Sequence, residues 1–202
     1  MEGKVMIGVT GGLATGKTTV AAIFRELGAI VIDADEISHR LLAEDDALKD
    51  RVSGLFGRDI LVQGEIDRRK LAGRVFSDRR KLDELCGILH PLVISRVRKE
   101  ASAIQEGVIV LDAPLLLEAG LRGAVDAVVV VAAAEETQVK RAVDRGITES
   151  EARAIIDCQM PLAEKKRSAD YIIENDNGMD ILKEGVNRIW QKILREHKKN
   201  WI

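Results

Sequence analysis

The stretch "GVTGGLATGKTTV", residues 8–20, decides the fold. Within it, "GGLATGKT" (11–18) matches the pattern G-x-x-x-x-G-K-[ST] and lies between an apolar run and a segment of helical periodicity. This strand–loop–helix context predicts a loop that wraps phosphate oxygens with its backbone amides, because side chains at some of its positions would block that approach. The N-terminus of the following helix adds positive charge to the same place.

Two side chains of this loop have predicted roles of their own. Lys17 is placed to reach the β- and γ-phosphates of a nucleotide, and the Thr18 hydroxyl is placed to coordinate Mg²⁺. The alternative is a tight strand-to-helix turn whose lysine is merely exposed. The flanking strand and helix favour the phosphate-binding interpretation.

Short β-branched runs alternate with longer amphipathic segments, which predicts a parallel α/β sheet buried on both faces. The capping-box residues Thr148 and Glu151 mark the start of one helix. Residues 35–106 separate the second and third strands, although a crossover needs only about a dozen residues. We therefore expect a wholly helical insertion at 35–106 and a second one at 135–168, within a single domain. The predicted strands are 4–9, 29–33, 107–113, 127–133 and 169–175, and the predicted core is 1–34, 107–134 and 169–202.

Composition limits the partners. The 202 residues carry 31 Lys+Arg against 33 Asp+Glu, so a net charge of -2 creates no field that would attract nucleic acid or an anionic membrane. No apolar stretch reaches spanning length, and the start "MEGKVMIGV" lacks a signal-peptide pattern. Cys86 and Cys158 have no metal-ligand spacing and suit a reducing compartment. We expect a cytoplasmic protein without nucleic-acid or membrane partners. A monomer is favoured, because the sequence shows no pattern typical of a dimer.

A small-molecule kinase fits these features better than other nucleotide-binding classes. The guanine-reading N-K-x-D tetrad of GTPases is absent, and the chain is short for an ATP-driven machine. Asp33 ends the second predicted strand, at the sheet edge where ligands of parallel sheets collect, and can accept the proton of an attacking hydroxyl. The alternative role for Asp33 is a helix N-cap. Asp35 fits that capping role better, because it directly precedes the periodic "EISHRLL".

Three further features have both a functional and a structural interpretation. Asp112 ends the third predicted strand and is either a Mg²⁺ ligand acting through water or a turn residue. Arg141, in the second insertion, either stabilises charge on the γ-phosphate or is a solvated helix residue. The cationic stretch 67–81 is interpreted as a solvated helix face, with the pyrophosphate of an acceptor as the alternative.

Five segments together resemble dephospho-CoA kinase, in the expected order from Gly8 to Asn175. Many families share the phosphate loop, whereas P-L-L-x-E and Q-M-P…K…AD-x-I-x-x-N are much more specific. The resemblance implies a P-loop NTPase-type kinase core, a five-stranded parallel sheet flanked by helices, with a helical CoA-binding insertion and a helical lid. The segments are "GVTGGLATGKTTV", "VIDADEISHRLL", "HPLV", "DAPLLLEAGL" and "RGITESEARAIIDCQMPLAEKKRSADYIIEN".

The resemblance implies phosphorylation of the ribose 3′-hydroxyl of dephospho-CoA by ATP with Mg²⁺, the last step of coenzyme A synthesis. It makes Asp33 the catalytic base and places Lys17 in contact with the phosphoryl group that is transferred. The implied nucleotide loop consists of Gly12, Ala14, Thr15, Gly16, Lys17, Thr18 and Thr19. The expected acceptor contacts are Asp33, Asp35, His90, Pro114, Leu115 and Glu118. His90 directly precedes Pro91, where the sequence predicts the start of a helix over 91–104.

Two other functions stay open at this point. One is a nucleoside monophosphate kinase or another small-metabolite kinase built on the same core. The other is a regulatory protein that binds ATP without phosphorylating a metabolite. The position of Asp33 and the two helical insertions argue against the second.

Overall fold

A computed structural model describes residues 3–197. Met1, Glu2 and residues 198–202, which belong to the predicted core segments, lie outside the described residues. Strands and helices alternate along the chain, with a run of helices after the second strand. The strands are β1 (Lys4–Gly11), β2 (Ile30–Asp33), β3 (Leu61–Val62), β4 (Glu65–Ile66), β5 (Gly107–Asp112), β6 (Ala127–Ala132) and β7 (Tyr171–Glu174). The helices are α1 (Lys17–Glu26), α2 (Ala34–Glu44), α3 (Asp46–Phe56), α4 (Arg68–Val75), α5 (Arg79–Ala103), α6 (Glu135–Val143), α7 (Glu149–Cys158), α8 (Leu162–Arg167) and α9 (Met179–His197).

Five parallel strands form the central sheet, as the sequence predicts, and their order is β2-β5-β1-β6-β7. All six residues of β6 are buried. Such continuous apolar strands arise because helices cover both faces of a parallel sheet. The strand order reverses between β1 and β5, so ligands are expected at the carboxyl ends of these two strands.

Each face of the sheet has its own apolar core. Helices α1 and α9 cover one face, where Phe24 and Trp190 meet with ring centroids 6.2 Å apart. Helices α2 and α5 cover the other face together with the segment that follows β5, which contributes the fully buried Leu116. The two layers hold the sheet edges in place around the phosphate loop.

The insertion between β2 and β5 has a third core and is not wholly helical. Its apolar side chains, among them Val52, Phe56 and Ile60, pack against the first half of α5. Strands β3 and β4 form a short antiparallel hairpin. Gln63 and Gly64 connect them with φ values of 53° and 84°, the positive values that a tight hairpin turn needs. Two-residue strands leave no alternating pattern in the sequence, which is why the hairpin was not predicted.

Helix α5 continues for 25 residues through Pro91, whereas the sequence places a helix start at that proline. Proline is favoured in the first turn of a helix and removes one hydrogen bond in its interior, here to the Gly87 carbonyl. The helix continues because its buried stripe does. Leu85 and Leu89 before the proline and Val93 and Val97 after it are all buried at four-residue spacing.

Three helices, α6, α7 and α8, lie between β6 and β7 in the segment predicted as a lid. Helix α7 begins with the predicted capping box, in which Thr148 and Glu151 satisfy each other's backbone amides. Within residues 3–197, no helix combines the length and the apolar composition that crossing a bilayer requires.

We expect Pro91→Ala to stabilise the protein by about 1–3 kcal/mol, because it restores the missing N–H to α5. Urea unfolding measures the free energy of unfolding. Ser95→Ala, on an exposed position of the same helix, is the matched control and should change stability by less than about 0.5 kcal/mol. Equal or lower stability for Pro91→Ala would show that the packed helix depends on the proline.

Candidate active site

The predicted phosphate loop, residues 11–18, spans the end of β1 and the start of α1, and its residues 12–16 connect the two at the carboxyl edge of the sheet. Ala14 and Gly16 have φ values of 51° and 99°, so the loop turns through two left-handed residues. Helix α1 has no side-chain cap at its N-terminus, and Lys17 and Thr18 are its first two residues. The amides of this first turn have no helical acceptors and, with the helix dipole, suit an anion.

Neighbours within the chain explain the glycines in large part, whereas the sequence pattern predicts close contact with a polyphosphate as their cause. A Cβ on Gly16 would lie 2.1 Å from Asn175 Nδ2, and one on Gly12 would lie 2.6 Å from Gln138 Oε1. A Cβ on Gly11 would lie 2.4 Å from the Val131 carbonyl oxygen. The loop is therefore pressed against β6, α6 and the end of β7, with no room for side chains.

Residues from the last third of the chain hold the loop in shape. Asn175 Nδ2 donates to the Thr15 carbonyl at 2.8 Å, and the Leu13 amide donates to Gln159 Oε1 at 3.1 Å. Lys165 Nζ donates to the Gly11 carbonyl at 3.3 Å. None of these three side chains was singled out individually from the sequence. All three lie in the Q-M-P…K…AD-x-I-x-x-N segment, residues 159–175, which is the feature of the sequence that could have identified them.

The parallel register brings the predicted carboxylates to the phosphate loop. Asp33 of β2 pairs with Asp112 of β5, and Asp112 pairs on its other side with Val9 of β1. Val9 lies two residues before Gly11, where the loop begins. Neighbouring strands are about 4.8 Å apart, so both carboxylates and the loop share one short stretch of the sheet edge.

Asp33, and not Asp35, caps helix α2, so the expectation that Asp35 has this role is wrong. Asp33 Oδ1 accepts from the amides of Asp35 and Glu36 at 2.9 and 3.0 Å. The backbone of Asp33 is extended, with φ -98° and ψ 112°, while Ala34 is already helical. An N-cap needs this non-helical backbone. The cap fixes the orientation of the carboxyl group and uses only one of its oxygens.

The carboxylates of the site influence one another. Burial raises the pKa of Asp112 to about 6; the charges of Asp33 and Asp35 act in the same direction, and Lys17 opposes them. Burial likewise raises the pKa of Asp35, and the positive charge of Lys17 opposes that shift. Within residues 3–197, no donor reaches the buried Oδ1 of Asp112. A concentration of negative charge beside one lysine suits a cation-bound polyphosphate.

A cavity of about 310 Å³ lies between the insertion and the carboxyl edge of the sheet. Most of its wall is apolar, and its charged or titratable side chains are Asp35, His39, Arg68, Cys86 and His90. Burial lowers the pKa of His90, and Glu118 opposes that shift, so a neutral imidazole is favoured. His90 lies inside α5, not at a helix start. The cavity brings together four predicted acceptor residues, Asp35, His90, Pro114 and Leu115, while Asp33 lies next to its wall residue Ala34.

Glu118 lies in an adjoining cavity of about 360 Å³, which His90 and Leu115 also line. Its Oε1 accepts from Lys165 Nζ at 2.8 Å and from the Met160 amide at 3.1 Å. The carboxylate is therefore committed to residues that follow α7. It does not line the cavity of about 310 Å³ to which Asp35, His90, Pro114 and Leu115 belong.

Arg141 is half-buried on α6, not solvated. Its Nη2 donates to the Asn175 carbonyl at 2.8 Å, and the Asn175 side chain in turn bonds the phosphate loop. Its Nη1 is buried and contacts no acceptor among the residues that the structure describes. Only Asn175 thus separates the guanidinium from the phosphate loop, and Nη1 is the donor without an acceptor among the described residues.

The chain is similar to dephospho-CoA kinases along most of its length. The family model for dephospho-CoA kinase matches residues 5–180. The dephospho-CoA kinase of Corynebacterium diphtheriae is 41% identical over 196 residues, covering 95% of this chain and 98% of its own. That of Carboxydothermus hydrogenoformans is 43% identical over 192 residues, covering 93% of each chain.

Solved structures agree in fold. The crystal structure of TT1252 from Thermus thermophilus superposes with a TM-score of 0.82 at 32% identity, covering 96% of this chain and 99% of that one. Shikimate kinase from Bacteroides thetaiotaomicron has a TM-score of 0.54 at 16% identity, covering 94% and 98%. The second likeness shows the fold alone and confirms the predicted P-loop kinase-type architecture.

We expect Gly16→Ala to lower the free energy of unfolding by about 2–4 kcal/mol, through strain at positive φ and through the collision with Asn175. Gly28→Ala is the matched control. Gly28 also has a positive φ, 105°, but nothing lies within 4 Å of its Cβ position, so the loss there should be about 1 kcal/mol. Urea unfolding of the nucleotide-free proteins measures both. Adding Asn175→Ala to Gly16→Ala should give a favourable coupling energy, and strictly additive losses would contradict the collision.

Proposed function

Because the chain belongs to the dephospho-CoA kinase family, we propose that it transfers the γ-phosphoryl group of ATP to the ribose 3′-hydroxyl of dephospho-CoA, forming coenzyme A and ADP. The observation that carries this proposal is the position of Asp33. Its carboxylate stands two strands from the phosphate loop and beside the wall of the acceptor cavity. A base, a phosphate site and a recess for the acceptor then meet at one sheet edge.

On the donor side, the loop amides and Lys17 hold the triphosphate. The nucleotide-binding residues are Gly12 and the run from Ala14 to Thr19. Lys17 is half-buried at the first position of α1, where its ammonium group neutralises charge on the transferring phosphoryl group. Arg141, whose Nη1 has a donor to spare, stabilises charge on the γ-phosphate.

On the acceptor side, Asp33 orients the 3′-hydroxyl and takes its proton. The oxygen–phosphorus bond to the ribose forms as the bond from the γ-phosphorus to the β–γ bridging oxygen breaks, and ADP leaves with that electron pair. The two amide bonds to Asp33 Oδ1 fix the carboxyl group, which leaves Oδ2 as the proton acceptor. The lid segment, residues 135–168, excludes water so that hydrolysis does not compete.

Mg²⁺ fits the residues at this edge. Among residues 3–197 no group of three or more His, Cys, Asp or Glu side chains could hold a metal ion. Mg²⁺ itself keeps several waters and binds through one or two protein ligands together with substrate phosphates. The exposed Thr18 hydroxyl would bind it directly, and Asp112, whose buried Oδ1 has no donor, would do so through water. When bound, the ion neutralises charge on the β- and γ-phosphates.

The acceptor occupies the cavity between the insertion 35–106 and the sheet. Asp35, His90, Pro114 and Leu115 contact it, and Glu118 contacts it from the adjoining cavity. Arg68, from the cationic stretch 67–81, also lines the main cavity and supplies positive charge for the pyrophosphate. A monomer is proposed as the working unit, because the sequence has no pattern typical of a dimer. The free thiols Cys86 and Cys158 support a cytoplasmic location.

Acceptor-dependent ADP formation tests the reaction. The purified protein is assayed with ATP and Mg²⁺ against dephospho-CoA, AMP, CMP and shikimate in parallel. We expect dephospho-CoA to be phosphorylated at its 3′ position with a kcat/KM at least about 100-fold above those of the other acceptors. Preference for AMP, CMP or shikimate would identify a different metabolite kinase. ATP binding without ADP formation on any acceptor would indicate a regulatory protein.

We expect Asp33→Asn to lower kcat by about 10²–10⁴-fold while ATP binding and stability stay close to those of the parent protein. The amide oxygen of asparagine still caps α2, so the substitution removes the base but not the cap. Asp67→Asn is the matched control, because Asp67 caps α4 with the same pair of amide bonds. It should leave kcat unchanged. Turnover retained in Asp33→Asn would remove Asp33 from the role of base.

A further inference from the structure

Lys165 is a fully buried lysine whose ammonium group makes three contacts. Its side chain is 0% exposed, and Nζ lies 2.8 Å from the Pro114 carbonyl, 2.8 Å from Glu118 Oε1 and 3.3 Å from the Gly11 carbonyl. An ammonium group has three donors, so all of them are used within the protein. Lys165 therefore has no donor left for a substrate.

The two carbonyls belong to the two halves of the site. Gly11 is the last residue of β1 and the first of the phosphate loop. Pro114 lies in the acceptor loop, residues 113–118, which follows β5 and contributes Pro114 and Leu115 to the acceptor cavity. Thr10 Oγ1 also donates to the Pro114 carbonyl, at 2.9 Å, so two donors fix that oxygen.

Such a buried charge is unusual unless it is paired and hydrogen-bonded. The next residue shows the ordinary arrangement. Lys166 forms an ion pair of the same length, 2.8 Å, with Glu174, but both side chains are partly exposed. The Lys165 pair, by contrast, is withdrawn from water and reaches across three segments of chain. Ion pairs of this kind are weak evidence for stability, which directs attention to what the pair holds in place.

We propose that Lys165 is a positioning residue for phosphoryl transfer: by bonding the Gly11 and Pro114 carbonyls at once, it holds the phosphate loop and the acceptor loop at their working separation. The inference rests on the proposed function, because it concerns the same reaction. In-line transfer needs the donor phosphorus and the acceptor oxygen about 3–3.5 Å apart, and a misplacement of about 1 Å lowers the rate about 100-fold.

The test separates positioning from stability. Lys165→Met alone leaves Glu118 buried without its cation, so we expect a lower melting temperature and a variant that folds poorly. The decisive comparison is therefore Lys165→Met made in a Glu118→Gln background, with Glu118→Gln alone as its reference. No unpaired charge remains in the double variant, and its melting temperature should exceed that of Lys165→Met. Lys166→Met is the matched surface control and should retain the kcat of the parent protein.

We expect kcat of the double variant to be about 10–100-fold below that of Glu118→Gln, while KM for ATP and KM for dephospho-CoA each change by less than about threefold. A kcat equal to that of Glu118→Gln, with melting temperature recovered, would overturn the inference, since the pair would then serve stability alone. A rise in KM for ATP with kcat unchanged would also overturn it, because Lys165 would then be a direct phosphate ligand.

The reference variant needs its own reading. Glu118→Gln keeps both carbonyl bonds of Lys165 but alters a residue that contacts the acceptor, so it should raise KM for dephospho-CoA, and kcat of the two variants is compared at saturating dephospho-CoA. Absence of dephospho-CoA-dependent ADP formation in the unmodified protein would overturn the proposed function itself. Normal turnover there, combined with an unaffected double variant, would refute only the role of Lys165.

Discussion

The parallel register of β2, β5 and β1 is the constraint on which the site depends. Asp33, Asp112 and Val9 are successive partners across these strands, so β2 and β5 end side by side, two residues before β1 ends at Gly11. Backbone hydrogen bonds set this register, and a shift by one residue would turn each side chain to the other face of the sheet. The apolar layers on both faces oppose such a shift, because every strand residue that moved would lose its buried contacts.

The carboxylates of the sheet lie at its carboxyl edge, because apolar side chains cover both of its faces. Asp112 is 6% exposed, and water cannot solvate it as it would a surface carboxylate. The raised pKa of Asp112 expresses that penalty, while Lys17 offsets part of it. A folded protein keeps such an arrangement at a cost in stability, and sites of function are where that cost is typically found. The unpartnered Oδ1 of Asp112 and Nη1 of Arg141 belong to the same pattern within residues 3–197.

Local sequence patterns predicted the sheet, the phosphate loop and the capping box, because each is decided by residues close in the chain. Pro91 and the β3–β4 hairpin were missed for opposite reasons. A local rule places a helix start at Pro91, and tertiary burial on both sides overrides it. The two strands of the hairpin are too short to show an alternation of apolar and polar residues. Lys165 shows the limit most clearly: it is chemically identical to Lys166 beside it, and only the assembled fold makes one fully buried and the other partly exposed.

Contacts within the chain shape the phosphate loop. Asn175, Gln159 and Lys165 bond its carbonyls and amides, and Val131 and Gln138 leave no space for side chains on its glycines. A loop fixed in this way loses little conformational entropy when it closes on a phosphate, so more of the interaction energy is available for transfer. The glycines therefore do not make the loop flexible. They let Val131, Gln138 and Asn175 pack directly against the loop, while the first amides of α1 have no side-chain cap and can donate to a phosphate.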